Sequence, residues 1–319
     1  MIRDLDTVIS SRIRFARNLK DYPYTSRLDE NGAKEIIDRV SKALGNEYEA
    51  RNFEKLSHNE RMSLVEKHDV SLDFVRSVLP RELFVKDDTK IMVCEEDHIR
   101  LQVIKNGSSL EECYNEAVCT DKLLNEKLNI DYNDTLGYLT HCPTNLGTAM
   151  RASVMMFLPG ISITAKLKSI ALQLDKLGLT IRGMYGEGSE PGAYIYQISN
   201  RETLGISEEK VISKINDIVT QITEIERKTR DELKKRNGIS LEDKISRAEG
   251  TLKYAKMISS KEFSELYALI RMGGDHDISR LDSLFCEVMP YSLCVNYNKS
   301  LNESERDIYR AEYIQKAFG

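Results

Sequence analysis

Strand-like patterning stops at about residue 207 of this chain and does not return. Up to that point, short runs rich in β-branched and aromatic residues recur between turn residues: TVISSRIRFA, KIMVCEED, HIRLQVI, TLGYLT and AYIYQIS. KIMVCEEDHIRLQVI reads as a hairpin or meander that turns at its acidic run. Helical patterns lie between the strands: AKEIIDRVSKALG, SSLEECYNEAVCTDKLLNEKL and TAKLKSIALQLDKLG, the last with Gly178 as its stop. Beyond 207, SEEKVISKINDIVTQITEIERKTRDELKKRNG is one long periodic helix ended by Asn237-Gly238. LEDKISRAEGTLKYAKMI, SKEFSELYALIRMG, ISRLDSLFCEVM and ESERDIYRAEYIQKAF read as four more helices. Strands followed by a run of helices predict an α+β domain and an all-helical C-terminal domain, divided here as 1–229 and 230–319.

With 319 residues, 41% hydrophobic and 30% charged, the chain has ample material for a core. A net charge of -5 argues against a sequence-blind nucleic-acid binder, though it leaves room for a local basic pocket. No run reaches the roughly 18 apolar residues that span a bilayer, and MIRDLDTVISSRIR is charged from the start, unlike a secretory signal. The six cysteines form no CxxC pair, so free thiols in the cytoplasm are expected, with no metal held by protein side chains.

Four islands place arginines and acids inside otherwise apolar segments. In SSRIRFAR, Arg12 and Arg14 alternate with Ile13 and Phe15, so both arginines share one face of a strand. That face is either solvated or a paired guanidinium clamp for phosphate. In Cys94-Glu95-Glu96-Asp97-His98-Ile99-Arg100, three acids follow an apolar run, either in a solvent-exposed turn or as a site for a cationic substrate. The turn-rich CPTNLGT leads into Arg151-Ala152-Ser153-Val154-Met155, and its Cys142 is either a small buried residue or a thiolate beside a guanidinium. RGMYGEGSEPG, residues 182–192, is a Gly-rich segment that is either a linker or a loop closing over a ligand. No GxxxxGK[ST] is present, which removes the P-loop mechanism.

In this order, SSRIR, EEDHIR, CPTNLGT, RASVM and RGxYGE resemble the phosphagen (guanidino) kinases, and more closely the bacterial protein-arginine kinases of the McsB type. The resemblance implies a central antiparallel sheet flanked by helices, with ATP and Mg²⁺ lying on it. By motif position it implies that Ser10, Ser11, Arg12, Ile13, Arg14, His68, Arg100, Arg151, Ala152, Ser153, Val154, Met155, Arg182, Gly183, Met184, Tyr185, Gly186 and Glu187 hold the nucleotide. Glu96 matches the catalytic carboxylate, Asp97 the acid beside it and Cys142 a cysteine that contacts the substrate guanidinium; Glu187 is counted with these catalytic residues too. RDIYRA, with Arg306, Asp307, Arg310 and Ala311, resembles an element that binds phosphoarginine outside the active site. At i and i+4 the two arginines would share a helix face, whether as an anion grip or as an ordinary surface helix with Asp307 pairing locally. One departure is Cys94, which stands where the family usually has Asn. A zinc-binding activator protein, a Clp chaperone–protease, a stress-response repressor and a homodimer are implied by the resemblance alone.

Phosphoryl transfer needs charge neutralisation and alignment more than covalent help. The acceptor guanidinium titrates at about 12.5–13.8, so deprotonating it beforehand costs roughly 7–9 kcal/mol. Glu96 is therefore expected to grip the guanidinium and take its proton as the N–P bond forms, with Asp97 and Cys142 orienting the other nitrogens. SSRIR begins at residue 10, leaving no room for the helical N-terminal domain of small-molecule guanidino kinases. Arginine within proteins is thus the expected substrate. A kinase for free arginine and a non-catalytic phosphoarginine-binding adaptor are the alternatives, and intact Glu96 with the full arginine set argues against the adaptor.

Overall fold

The alternation in VISSRIRFAR becomes β1 (Val8–Arg17), the strand on which the sheet is organised. The computed structural model describes residues 4–184, 193–273 and 276–318. In chain order, α1 (Glu30–Leu44), β2 (Glu49–Asn52), α2 (His58–Glu66), α3 (Leu72–Arg76), β3 (Glu82–Lys86), β4 (Thr89–Val93), β5 (Ile99–Asn106) and α4 (Leu110–Lys127) follow it. A two-residue pair, β6 (Tyr132–Asn133) and β7 (Gly137–Tyr138), precedes β8 (Met150–Phe157), α5 (Pro159–Ile163), α6 (Leu167–Lys176), β9 (Leu179–Gly183) and β10 (Ile195–Asn200). The helical remainder is α7 (Glu208–Tyr254), α8 (Ser260–Gly273), α9 (Ile278–Glu287), α10 (Pro290–Asn296) and α11 (Glu303–Phe318).

Eight strands form one sheet in the order β2-β3-β4-β5-β1-β8-β10-β9, every neighbouring pair antiparallel. Because side chains alternate across a strand, β1 sorts its residues cleanly. Ser11, Ile13, Phe15 and Arg17 are buried, while Ser10, Arg12, Arg14 and Ala16 are only half-buried on the other side. Of the first set, Ile13 and Phe15 join Leu101, Val103, Ala152, Val154 and Ile198 in the main core beneath α1, α4 and α7. The second set faces the site. On that side a small cluster of Phe53, Val70, Phe74, Leu83 and Met92 lies under α2 and α3. A larger one joins Phe157 and Ile195 of the sheet to Tyr267 and Phe285 of α8 and α9.

Local signals account for most element ends. Asp29 caps α1 and Gly45 at φ +67 ends it. α2 starts in a capping box made by Ser57 and Glu60. Two boundaries differ from the sequence reading. Gly238 leaves helical geometry (φ 36, ψ -123), but the chain resumes helix on its far side, so Asn237-Gly238 kinks the long helix rather than ending it. PYSLCVN forms the separate helix α10, started by Pro290 at its first turn and not separately legible from apolar spacing. Among the described residues no helix is long and apolar enough to cross a membrane.

Candidate active site

Pairing across β5, β1 and β8 gathers the arginines. Arg14 sits opposite Gln102 on one side and Arg151 on the other; Arg12 is opposite Ser153; Arg100 is opposite Ala16 and Met92. Arg182 is further out, opposite Gln197 and exposed. One acid meets this group directly: Glu95, buried, pairs with Arg100 and accepts from the Ser71 hydroxyl. Among the described residues, Arg12 and Arg151 also meet neutral groups. Arg12 Nε donates to Ser153 Oγ at 3.3 Å and Arg151 Nη2 to Ser199 Oγ at 3.0 Å. Among the described residues, Arg14 Nε, Arg151 Nε and His68 Nε2 are buried and meet no hydrogen-bond partner.

The electrostatic consequence is a cluster held short of counter-charge. Burial, with repulsion from Arg100 and Arg151, brings Arg12 down to about 10. The same causes, with Arg12 added, push Arg14 well below the ordinary guanidinium value. Burial and then Arg182 and Arg100 lower Arg151. Arg100 is also buried, but Glu95 more than offsets this and raises it. His68 falls to about 4 through burial and the nearby Arg12 and Arg14. Its backbone is in the left-handed region (φ 60), and Gln102 Nε2 donates to the carbonyls of His68 and Asp69 at 3.0 and 2.6 Å, fixing the segment. Such an array opposes its own assembly unless an anion fills it.

The acids occupy the turn between β4 and β5, where Cys94 N–H bonds His98 O at 2.9 Å and Glu95 N–H bonds Asp97 O at 3.1 Å. Glu95 points inward to Arg100, whereas Glu96 is exposed at the mouth. Partial burial, then Asp97 and Glu95, raise Glu96 above the ordinary carboxylate value. Asp97 is buried; its Oδ1 accepts from Asn18 Nδ2 at 2.6 Å and from His141 N–H at 2.7 Å. That second bond fixes the backbone next to half-buried Cys142, whose Sγ lies 3.0 Å from Thr144 Oγ1. Gly147 at φ +102 seats the same loop: a Cβ there would meet Thr203 O at 2.1 Å. Cys94 is at φ +66, a conformation asparagine adopts more readily than most residues, and its thiol turns into the core, where burial raises it to about 12.

Three cavities run side by side along this face. One of about 240 Å³ is lined by Arg14, Arg100, Arg151, Glu96, Asp97 and Cys142. One of about 180 Å³ is lined by Arg12, Arg14, Arg100, His68, Ser71 and Gln102. One of about 390 Å³ begins at Arg12 and His68 and continues over Ser10, Ser153, Met155 and Met184. The structure thus brings together twelve expected residues: Ser10, Arg12, Arg14, His68, Arg100, Arg151, Ser153, Met155, Met184, Asp97, Cys142 and the mouth residue Glu96. The side chains of Ser11, Ile13, Ala152 and Val154, expected at the nucleotide by motif position, are turned by strand alternation to the opposite, buried face of the sheet. Ser11 Oγ is spent on Gly107 O at 2.8 Å. Gly183 ends β9, while Tyr185, Gly186, Glu187 and the rest of the Gly-rich loop lie outside the described residues. Asn18, Ser71, Gln102 and Ser199 went unread, since single polar residues within or beside strands carry no spacing signal.

The family model "ATP:guanido phosphotransferase, C-terminal catalytic domain" matches residues 31–229, and "Protein-arginine kinase McsB C-terminal domain" matches 238–319. A curated protein-arginine kinase of Caldanaerobacter subterraneus subsp. tengcongensis is 40% identical over 98% of this chain and 96% of its own length. The chain belongs to the protein-arginine kinase family. Another member of that family, from Clostridium tetani, is 36% identical over 98% of this chain and 95% of its own length. The guanidino-kinase fold extends beyond the family. A lombricine kinase structure aligns with TM-score 0.63 at 24% identity, covering 70% of this chain and 67% of that one. A duplicated taurocyamine kinase from Schistosoma mansoni, with bound transition-state-analogue components, aligns with TM-score 0.63 at 24% identity over 81% of this chain and 38% of its own.

In the C-terminal RDIYRA segment the two arginines make different contacts. Arg310 is buried: its Nε donates to Val288 O at 3.0 Å, Nη1 to Ile258 O and Asp307 at 2.7 Å each, and Nη2 to Ser260 Oγ at 2.8 Å. Ala311 is buried in the C-terminal core. Arg306 is half-buried, with Nη1 on Leu301 O at 3.4 Å. Arg310 thus joins three helix ends, whereas Arg306 keeps one long backbone contact among the described residues.

Proposed function

We propose that the chain transfers the γ-phosphoryl group of ATP to the guanidinium of arginine side chains in proteins. One observation carries this reading: a single cavity is lined both by Arg14, Arg100 and Arg151 and by Glu96, Asp97 and Cys142. An anion donor and a cation acceptor can meet there. The arginines align the phosphates and stabilise charge on the moving group. Glu96 accepts the guanidinium proton as the N–P bond forms and the bond to the leaving ADP breaks. Asp97, held by Asn18, keeps the Cys142 loop in register with the acceptor nitrogens.

The buried, unpartnered Arg14 Nε, Arg151 Nε and His68 Nε2 fit a polyphosphate. In this reading the Mg²⁺ is carried by the nucleotide. Bound there, it supplies further neutralisation of phosphate charge.

The full-length match to relatives named protein-arginine kinase supports protein arginine over the free amino acid. In the same reading, residues 1–229 perform the chemistry in the cytoplasm, and 230–319 carry dimerisation and phosphoarginine recognition through Arg306 and Asp307. A zinc-binding activator, a Clp chaperone–protease and a stress-response repressor are its proposed partners. The test is mass spectrometry for acid-labile phosphoarginine after incubation with ATP, Mg²⁺ and either casein or free arginine. Phosphoarginine on casein is expected; label on free arginine alone, or on neither, overturns the reading.

A further inference from the structure

The largest cavity on the site face is only half built by the catalytic sheet. Its floor is Ile9, Met155, Met184 and Ile195, with Gln197 beside them. Its roof comes from the C-terminal helices: Phe285, Cys286, Ser279 and Ser283 of α9, with Tyr267 of α8. The volume of about 390 Å³ falls within the roughly 300–1,000 Å³ typical of small-molecule sites. One end opens at Arg12 and His68 onto the guanidinium cluster. A slot with apolar walls, hydroxyl and amide groups and the charged side chains Lys67, Asp282 and Glu287 at its lining, leading directly to the guanidinium cluster, suits a base and sugar whose phosphates extend toward Arg12.

The roof is fastened to the floor. Asp282 of α9 accepts from Arg271 Nε at 2.8 Å and Nη2 at 2.9 Å, and from the Tyr267 hydroxyl at 2.6 Å. The same guanidinium donates to Asp6 O at 3.0 Å and Leu5 O at 2.9 Å, directly before β1, and lies 4.6 Å from the Phe157 ring centroid of β8. The Arg271 side chain is wholly buried. One residue thus ties α9 to the two strands that carry Arg12, Arg14 and Arg151.

We propose that α9 is the nucleoside-binding wall of the kinase site, so that the nucleotide bridges the catalytic sheet and the C-terminal helices. The inference rests on the ATP-dependent reading above and adds to it a part for the C-terminal helices in holding substrate. It follows that any displacement of those helices changes nucleotide affinity before it touches Glu96.

Ser283 is the position to test, since it is exposed and its hydroxyl bonds only the Ser279 carbonyl within α9. Ser283→Trp fills the slot without entering the core. Calorimetric titration of the full chain with ATP and, separately, with inorganic tripolyphosphate compares the whole ligand with its phosphates. The expected result is a loss of ATP affinity of about tenfold or more, with tripolyphosphate affinity changed by less than about twofold. Unchanged ATP affinity in Ser283→Trp, or an equal loss for both ligands with the melting temperature retained, overturns the nucleoside wall and leaves the kinase reading standing. A wild-type chain that binds tripolyphosphate but not ATP overturns the ATP reading, and the wall with it.

Discussion

Arg14 and Arg151 stand directly opposite each other across β1 and β8, each with a buried Nε that no group among the described residues accepts from. Like charges in facing positions weaken a sheet by up to about 1 kcal/mol, so this pair is a cost the fold carries for the sake of a ligand. Arg14→Met keeps the aliphatic stem and removes the repulsion. It is expected to raise the melting temperature of the ligand-free protein by a degree or more while lowering ATP affinity at least about tenfold. A variant that melts lower and binds ATP normally would show the pair to be structural.

Glu96 is exposed at the cavity mouth, and its carboxyl is raised by burial, Asp97 and Glu95. Glu96→Gln is expected to bind ATP as the parent does and to lose about 10²–10⁴-fold in turnover, the usual worth of a positioned base. The base acts ionised, so activity in the parent falls as pH drops through a value above the ordinary carboxylate range. Steady-state rates across the acid limb check this. Wild-type turnover in the glutamine variant would remove Glu96 from the chemistry.

How much of this was legible in the sequence follows from which signals are periodic. The alternation Arg12-Ile13-Arg14-Phe15 gave both the strand and the shared face of the arginines, because pleating leaves no other choice. The same alternation, applied to every neighbour named by motif position, places Ser11, Ile13, Ala152 and Val154 in the opposite core. Asn18 was invisible for the opposite reason. It follows the last residue of β1, and its partners Asp97 and Leu139 are 79 and 121 residues away. The meeting of Phe285 with Met155 at one cavity is equally non-local, since it depends on how α9 returns to the sheet.

Asn18 is predicted to position the acceptor side of the site without touching the nucleotide. Its amide donates to Asp97 and Leu139 O, and its Oδ1 accepts the His98 N–H at 2.9 Å. Asn18→Ala leaves buried groups unpaired and is expected to cost about 1–3 kcal/mol of stability. Beyond that, KM for the protein substrate should rise or kcat fall by tenfold or more, while the Kd for ATP stays within about twofold. A purely structural asparagine would instead impair both ligands in proportion to the fraction unfolded, which a titration below the melting transition distinguishes.

His68 makes the pH dependence of the empty site predictable. Its folded value of about 4 lies below the ordinary 6.5, so the unfolded chain binds more protons between those values. The contribution of this group to stability is then fully present above pH 6.5 and is lost as pH falls toward 4, at most about 3 kcal/mol in all. Denaturant unfolding from pH 7 to pH 4 should show this loss in the parent and less of it in His68→Gln. Phosphates next to the ring favour its protonated form, so ATP binding near pH 5 should take up more protons in the parent than in His68→Gln. Equal proton uptake by the two proteins in buffers of different ionisation enthalpy would place the ring outside the phosphate site.

The RDIYRA element separates its two arginines by what each one touches. Arg310 satisfies the carbonyls of Val288 and Ile258, the Asp307 carboxylate and the Ser260 hydroxyl, all from a buried position. Arg310→Ala leaves those acceptors unmatched and is expected to destabilise the protein by about 3 kcal/mol or more, visible as a lower denaturant midpoint. Arg306 has one long backbone contact and a half-buried position, so Arg306→Ala should change stability by less than about 0.5 kcal/mol. If this end of α11 recognises phosphoarginine, the Arg306 variant loses that binding with its fold intact, whereas the Arg310 variant loses it by loosening the helix ends. Equal and small stability effects for both substitutions would instead mean that Arg310 can leave its pocket, and the expected two-arginine grip would return.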